Sequence, residues 1–160
     1  MMNLYLRAIG IGAVAGMRSA SAPAFTSSYF ARNPSLFLEA SPLKRLGETT
    51  TANVLKFMAG GELIADKLPF VPARTAPGPL GARAVSGGVC GAAVFLSAGE
   101  RAEVGAALGA ASAVASSFLF MSLRRVIGKA AKLPDPVVAL AEDGLMLGIG
   151  YAVFVPAKNT

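Results

Sequence analysis

The chain has 160 residues, of which 54% are hydrophobic and 15% are charged, and its formal net charge is +6. Soluble domains carry about 25% charged residues, so the composition favours a membrane protein. One cysteine and no histidine exclude an internal disulfide, a Cys/His zinc site and a histidine-based catalytic triad. The basic residues lie at the ends of apolar runs, which indicates lipid head groups rather than nucleic acid as their partners.

The first apolar segment, residues 3–22, predicts a membrane span with a broken helix. The helix is expected to reach about Met17 and to break near Pro23, because proline has no amide proton for the helix ladder; residues 24–31 then continue as a half-helix. A cleaved signal peptide is the alternative, since small residues follow a short apolar stretch. Arg18 interrupts those small residues and more apolar segments follow, which favours an uncleaved helix.

The next two segments predict different structures, an interfacial segment and a second span. Residues 32–48 alternate apolar and charged side chains and contain two prolines, which predicts a segment in the membrane interface. Residues 49–67 have apolar positions at three- and four-residue spacings and end before Pro69, which predicts a second span. A proline-rich loop over residues 70–79 follows.

Three further spans are predicted at 80–99, 104–123 and 136–156. Residues 104–123 contain no charge, and at about 1.5 Å per residue they reach roughly 30 Å, the thickness of the hydrocarbon core. Arg124 and Arg125 follow at once, as basic side chains do at the ends of spanning helices. We therefore predict an all-α membrane bundle of about five spans, between four and six, as a single domain over residues 1–160.

The distribution of basic residues predicts the orientation. If five spans alternate, one face carries Arg7, Lys67, Arg74, Arg83, Arg124, Arg125, Lys129 and Lys132, and the other carries Arg32, Lys44, Arg45, Arg101 and Lys158. The face with more lysine and arginine is expected in the cytoplasm, and it includes the N-terminus.

Four carboxylates lie in or near the predicted spans. Glu62 and Asp66 are four residues apart and share a helix face, and Glu142 and Asp143 are adjacent in an otherwise apolar segment. An ionised side chain at mid-bilayer costs about 2.5–3.5 kcal/mol on insertion scales, so these groups need partners. The candidate partners are Arg18, Lys56, Lys67 and Arg83.

These charges allow two interpretations. The functional one is an ion or proton pathway inside the bundle. The structural one is a buried pair between Glu142–Asp143 and an arginine, with Asp66 and Lys67 at a helix end in the head groups. The bend at Arg18–Ser19 is also open: a broken helix exposes amides and hydroxyls, as in transporter sites, whereas a plain proline kink would have no such role. A loose likeness between the two halves of the chain suggests an inverted repeat.

Pairs of glycines four residues apart recur in the apolar segments and indicate close helix packing. They are Gly12–Gly16, Gly87–Gly91, Gly105–Gly109 and Gly144–Gly148. Packing within the chain and homodimerisation are both open, and we predict a homo-oligomer. The glycines of residues 10–16 nearly copy a dinucleotide loop, but the spacing is off by one and no strand precedes them, so no cofactor is predicted.

Several motifs together resemble a known family. They are Gly16-Met-Arg18-Ser19 followed by Pro23, Glu62-Leu-Ile-Ala-Asp66-Lys67-Leu-Pro69, Pro134-Asp-Pro136, and Ala141-Glu142-Asp143-Gly. This set resembles the bacterial membrane family described as domain of unknown function 4126, over nearly the whole chain. The resemblance implies an integral membrane protein with these charged positions as a signature, and it implies no activity.

We therefore expect a bacterial inner-membrane transporter or channel for an ion or small polar solute, and not an enzyme. Its expected site comprises Arg18, Ser19, Glu62, Asp66, Lys67, Glu142 and Asp143. One alternative is a structural or lipid-binding membrane module whose charges only stabilise the bundle. Another is an intramembrane enzyme acting on a lipid, which would need the carboxylates as acid–base groups or metal ligands.

Overall fold

The computed structural model describes residues 3–65, 76–130 and 135–154, and in these ranges every regular element is a helix. The seven α-helices are α1 Leu4–Met17, α2 Ser21–Phe30, α3 Leu36–Glu39, α4 Thr49–Ala65, α5 Pro77–Ser97, α6 Ala102–Ala130 and α7 Asp135–Phe154, and a 3₁₀ turn, Lys44–Gly47, precedes α4. Three described stretches are long and apolar enough to cross a membrane: Pro77–Ser97, Ala102–Ile127 and Val137–Phe154. The all-helical bundle is thus confirmed, and the number of spans stays a prediction.

Helices α1 and α2 form a hairpin. Arg7, near the start of α1, lies with its guanidinium carbon 5.6 Å from the ring centroid of Tyr29, near the end of α2. The chain therefore reverses at residues 18–20. The predicted first span, 3–22, contains the whole of α1, the turn and the first residues of α2. Pro23 lies after the break, in the first turn of α2, where a missing amide proton removes no helical hydrogen bond.

The start of α1 and the end of α7 lie at the same end of the bundle. Arg7 Nε donates a hydrogen bond of 3.0 Å to the carbonyl oxygen of Val153, and the Tyr29 ring stacks on Phe154 at 4.8 Å. Five alternating spans would separate these two ends. The hairpin explains the difference, because it enters and leaves the bundle at one end.

Glycine pairs bring α1, α5 and α6 into close contact. A Cβ atom added at Gly109 would meet the Gly87 carbonyl, one added at Gly91 would meet the Gly105 carbonyl, and one added at Gly12 would meet Gly109. Small residues allow backbones to approach in this way. By contrast, a Cβ atom at Gly144 or Gly148 would meet no described residue within 4 Å. Three of the four predicted pairs therefore pack within the chain, and the pair on α7 is open.

The interior and the exterior of the bundle are both apolar. The buried core centres on α1, with Ile11, Val14 and Met17 fully covered. Large apolar side chains such as Phe57, which is 85% exposed, point outward from the surrounding helices. A soluble protein rarely exposes so many large apolar side chains, and a lipid-facing surface accommodates them.

The predicted interfacial segment, residues 32–48, contains α3 and the 3₁₀ turn rather than one continuous helix. Leu38 is buried and packs in a small cluster with Phe30, whereas Leu36 and Phe37 are exposed. Its place at a membrane interface stays a prediction.

Candidate functional site

The hairpin turn, residues 18–20, lies inside the bundle. It is next to residues of α5 and α7 that are well away from the first residues of those helices. Its neighbours Arg83 and Asp143 are six and eight residues from the first residues of those helices. At about 1.5 Å per residue they lie roughly 9 and 12 Å in from the helix starts. The C-terminal end of α1 and the N-terminal end of α2 meet here, and their end groups have no partners within their own helices, so other helices supply the hydrogen bonds.

Arg18 and Asp143 form a buried ion pair at this turn. Arg18 is 2% exposed and Asp143 is 9% exposed. Arg18 Nε and Nη2 both donate to Asp143 Oδ1, at 2.9 and 2.7 Å. Nη1 also lies 3.4 Å from the Glu62 carbonyl oxygen. The pair joins the turn to α7, and breaking it from one side would leave an uncompensated charge in the bundle.

Glu62 of α4 caps the N-terminal end of α2. Its Oε1 accepts hydrogen bonds from the Ser19 amide at 2.9 Å and the Ser19 hydroxyl at 2.8 Å, and its Oε2 accepts one from the Ala20 amide at 2.8 Å. The first amides of a helix have no partner within the helix and carry partial positive charge. Ala20 is the N-cap residue of α2 and has no side-chain capping bond, so Glu62, a carboxylate from another helix, accepts from the amides of the N-cap and of the residue before it.

The carbonyl groups around the turn receive their donors from α5 and α6. Gly16 O accepts from Arg83 Nη1 at 3.1 Å and from Ser117 Oγ at 3.0 Å, and Ser19 O accepts from Ser86 Oγ at 2.6 Å. Arg83 is almost fully buried. Four helices therefore hold the hairpin turn through polar side chains, and we call this set the turn cluster: Arg18, Ser19, Glu62, Arg83, Ser86, Ser117 and Asp143.

The structure places most of the predicted site residues together. Arg18, Ser19, Glu62 and Asp143 belong to the turn cluster, and Glu142, 8% exposed, is buried beside Asp143 on α7. Asp66 and Lys67 lie outside the described residues. Sequence reasoning offered Arg83 only as a candidate partner and missed Ser86 and Ser117 altogether. Their signal is a hydroxyl on an otherwise apolar helix, where such a group usually bonds a neighbouring helix.

A groove lies beside the turn cluster, between α2, α4 and α7. Its volume is about 570 Å³, and we call it the lateral groove. Most of its lining is apolar, and Arg32, Asn33 and Lys56 lie at its outer end. Lys56, a predicted partner for the carboxylates, therefore belongs to this groove. Among the described residues, no three His, Cys, Asp or Glu side chains come together to hold a metal ion.

A comparison of the sequence with models of known protein families classifies the chain. The sequence model of the family described as "Domain of unknown function (DUF4126)" matches residues 5–158. The chain belongs to the DUF4126 family. No curated protein and no solved structure matches it. In this DUF4126 protein the charged motif residues that carried the resemblance and that the structure describes, namely Arg18, Glu62, Glu142 and Asp143, are buried or half-buried at or beside the hairpin turn.

Proposed function

We propose that this DUF4126 protein is a small transporter or channel of the bacterial inner membrane that carries an ion or small polar solute past the turn cluster. The observation that carries the proposal is the hairpin turn itself, with two helix ends and several ionisable side chains inside an apolar bundle. Ionisable residues at membrane depth are expensive, and in transport proteins they mark substrate or proton pathways. Discontinuous helices that meet near the midplane form substrate sites in many transporters.

We expect movement of the Glu62 side chain to open and close the pathway. Its carboxylate occupies the donors of Ser19 and Ala20, where a bound anion would otherwise sit. When the side chain moves away, the amides of Ser19 and Ala20 become available to an anionic solute, and the carboxylate becomes available to a cation or a proton. Asp143 differs, because Arg18 already balances its charge.

A structural membrane module is the second candidate, and one observation favours it. The hydrogen bonds of Arg18, Glu62 and Asp143 form a closed set within the protein, as expected of side chains that only lock the hairpin. On this alternative, neutralising Glu62 changes stability alone.

We also propose a homo-oligomer. The Gly144–Gly148 pair of α7 supports it, because a Cβ atom at either position would meet nothing within 4 Å in the described part of the chain.

Ligand-dependent thermal stabilisation of the purified protein distinguishes the two functions. A panel of inorganic cations and anions would be added to wild type, to Glu62→Gln and to the exposed control Glu100→Gln. A ligand at one hundred times its Kd stabilises a protein by about 2.7 kcal/mol. The transporter proposal expects at least one ion to raise the Tm of wild type and Glu100→Gln but not of Glu62→Gln. Equal Tm shifts in all three proteins, or none in any, would favour the structural module.

A further inference from the structure

We infer that the lateral groove binds one phospholipid with an anionic head group, taken from the surrounding bilayer. The inference is independent of transport through the turn cluster, and its test does not require any flux.

The shape of the groove fits an acyl chain. Helix α2 forms its floor, and α4 and α7 form its walls without contacting each other in the described residues. The groove is therefore open sideways toward the lipid. Ala24 and Phe25 of the floor and Leu63 and Met146 of the walls present hydrocarbon and aromatic surface. Its volume of about 570 Å³ lies within the range of ligand pockets, which is about 300–1,000 Å³.

The outer end of the groove fits an anionic head group. Arg32 and Lys56 are exposed there, and neither forms an ion pair within the described part of the chain. None of the described residues that line the groove is acidic. Asn33 and Tyr151 stand at the same end, and tyrosine is enriched where membrane proteins meet lipid head groups. Basic pockets between membrane helices bind anionic head groups by this combination of features.

A second copy of the chain fits the groove less well. In a two-fold symmetric pair the same surface patch faces itself, and the described lining offers bases but no acidic residue to pair with Arg32 and Lys56 of the other copy. A lipid phosphate instead supplies the opposite charge.

Native mass spectrometry of the delipidated, detergent-purified protein tests the inference. Phosphatidylglycerol is titrated as the anionic lipid and phosphatidylcholine as the zwitterionic one. Basic residues near a membrane surface contribute about 1 kcal/mol each toward anionic lipid, so two bases predict a preference of about 30-fold for phosphatidylglycerol. The double variant Arg32→Gln/Lys56→Gln is expected to lose that preference, and the exposed-base control Arg45→Gln is expected to keep it.

A second variant tests the groove without changing any charge. Gly60 lines the groove and a Cβ atom there meets nothing within 4 Å in the described residues, so the side chain of Gly60→Leu enters the groove. Its neighbour Gly61 is equally open among the described residues but is not part of the groove lining, which makes Gly61→Leu the matched control. We expect Gly60→Leu to weaken phosphatidylglycerol binding by tenfold or more. Equal binding of both lipids by wild type would overturn the inference. So would a dimer that Gly60→Leu dissociates while lipid binding is unchanged, since the occupant would then be a second copy.

Discussion

Replacing Glu62 with glutamine tests how the hairpin turn is held. The carboxylate accepts three hydrogen bonds, two at Oε1 from Ser19 and one at Oε2 from the Ala20 amide. A glutamine can keep the two Ser19 bonds with its carbonyl oxygen, in weaker, uncharged form. Its amide nitrogen is itself a donor, so the Ala20 amide loses its acceptor. Hydrogen bonds to charged groups contribute about 1.5–3 kcal/mol, and an unpaired buried donor costs about 1–3 kcal/mol.

We therefore expect Glu62→Gln to lower the free energy of unfolding by about 2–4 kcal/mol. For a chain of this length that corresponds to a decrease in Tm of about 5–10 °C. Thermal unfolding in detergent, followed by circular dichroism, measures the change. Glu100→Gln is the control, because Glu100 is exposed in the connection between α5 and α6. A Tm for Glu62→Gln equal to that of the control would show that the carboxylate does not hold the turn.

Two further predictions concern packing and topology. Gly109→Ala places a methyl group against the Gly87 carbonyl and should destabilise the bundle by about 1–3 kcal/mol. Gly61→Ala, whose added methyl group meets nothing within 4 Å in the described residues, should be neutral or stabilising by up to about 1 kcal/mol. Thermal unfolding compares the two variants, and equal effects would refute the packing. In a background without the native cysteine, cysteines at Asn3 and Glu100 should react with a membrane-impermeant thiol reagent from one face, and a cysteine at Gly78 from the other. Five alternating spans would instead put Asn3 with Gly78 and opposite Glu100.

Local patterns predicted the parts of the fold that depend on local physics. The uncharged run 104–123 lies within α6, and α1 ends at Met17 as its composition suggested. The direction of the chain after that break was not predictable in the same way. The reversal depends on contacts of Tyr29 with Arg7 and Phe154, which are remote in the chain. Proline is a local signal for a break, and it carries no information on the angle between the two helices.

The turn cluster was predictable in its residues but not in its connections. Carboxylates in an apolar segment indicate that partners exist, so Glu62 and Asp143 could be selected from the sequence. Arg18 was one of four candidate bases, and only the fold shows that it pairs with Asp143. Glycine spacing has the same limit. Gly105–Gly109 and Gly144–Gly148 look alike in sequence, but among the described residues only the first pair is packed against another helix.

Solute flux into proteoliposomes tests the proposed transport function most directly. Wild type, Glu62→Gln, Glu142→Gln and Glu100→Gln would be reconstituted at equal density after circular dichroism has shown that each is folded. A panel of ions would then be assayed with and without a pH gradient. The proposal predicts flux of at least one ion through wild type and Glu100→Gln that Glu62→Gln and Glu142→Gln lose. Absence of flux in wild type for every ion tested, or equal flux in all four proteins, would contradict it.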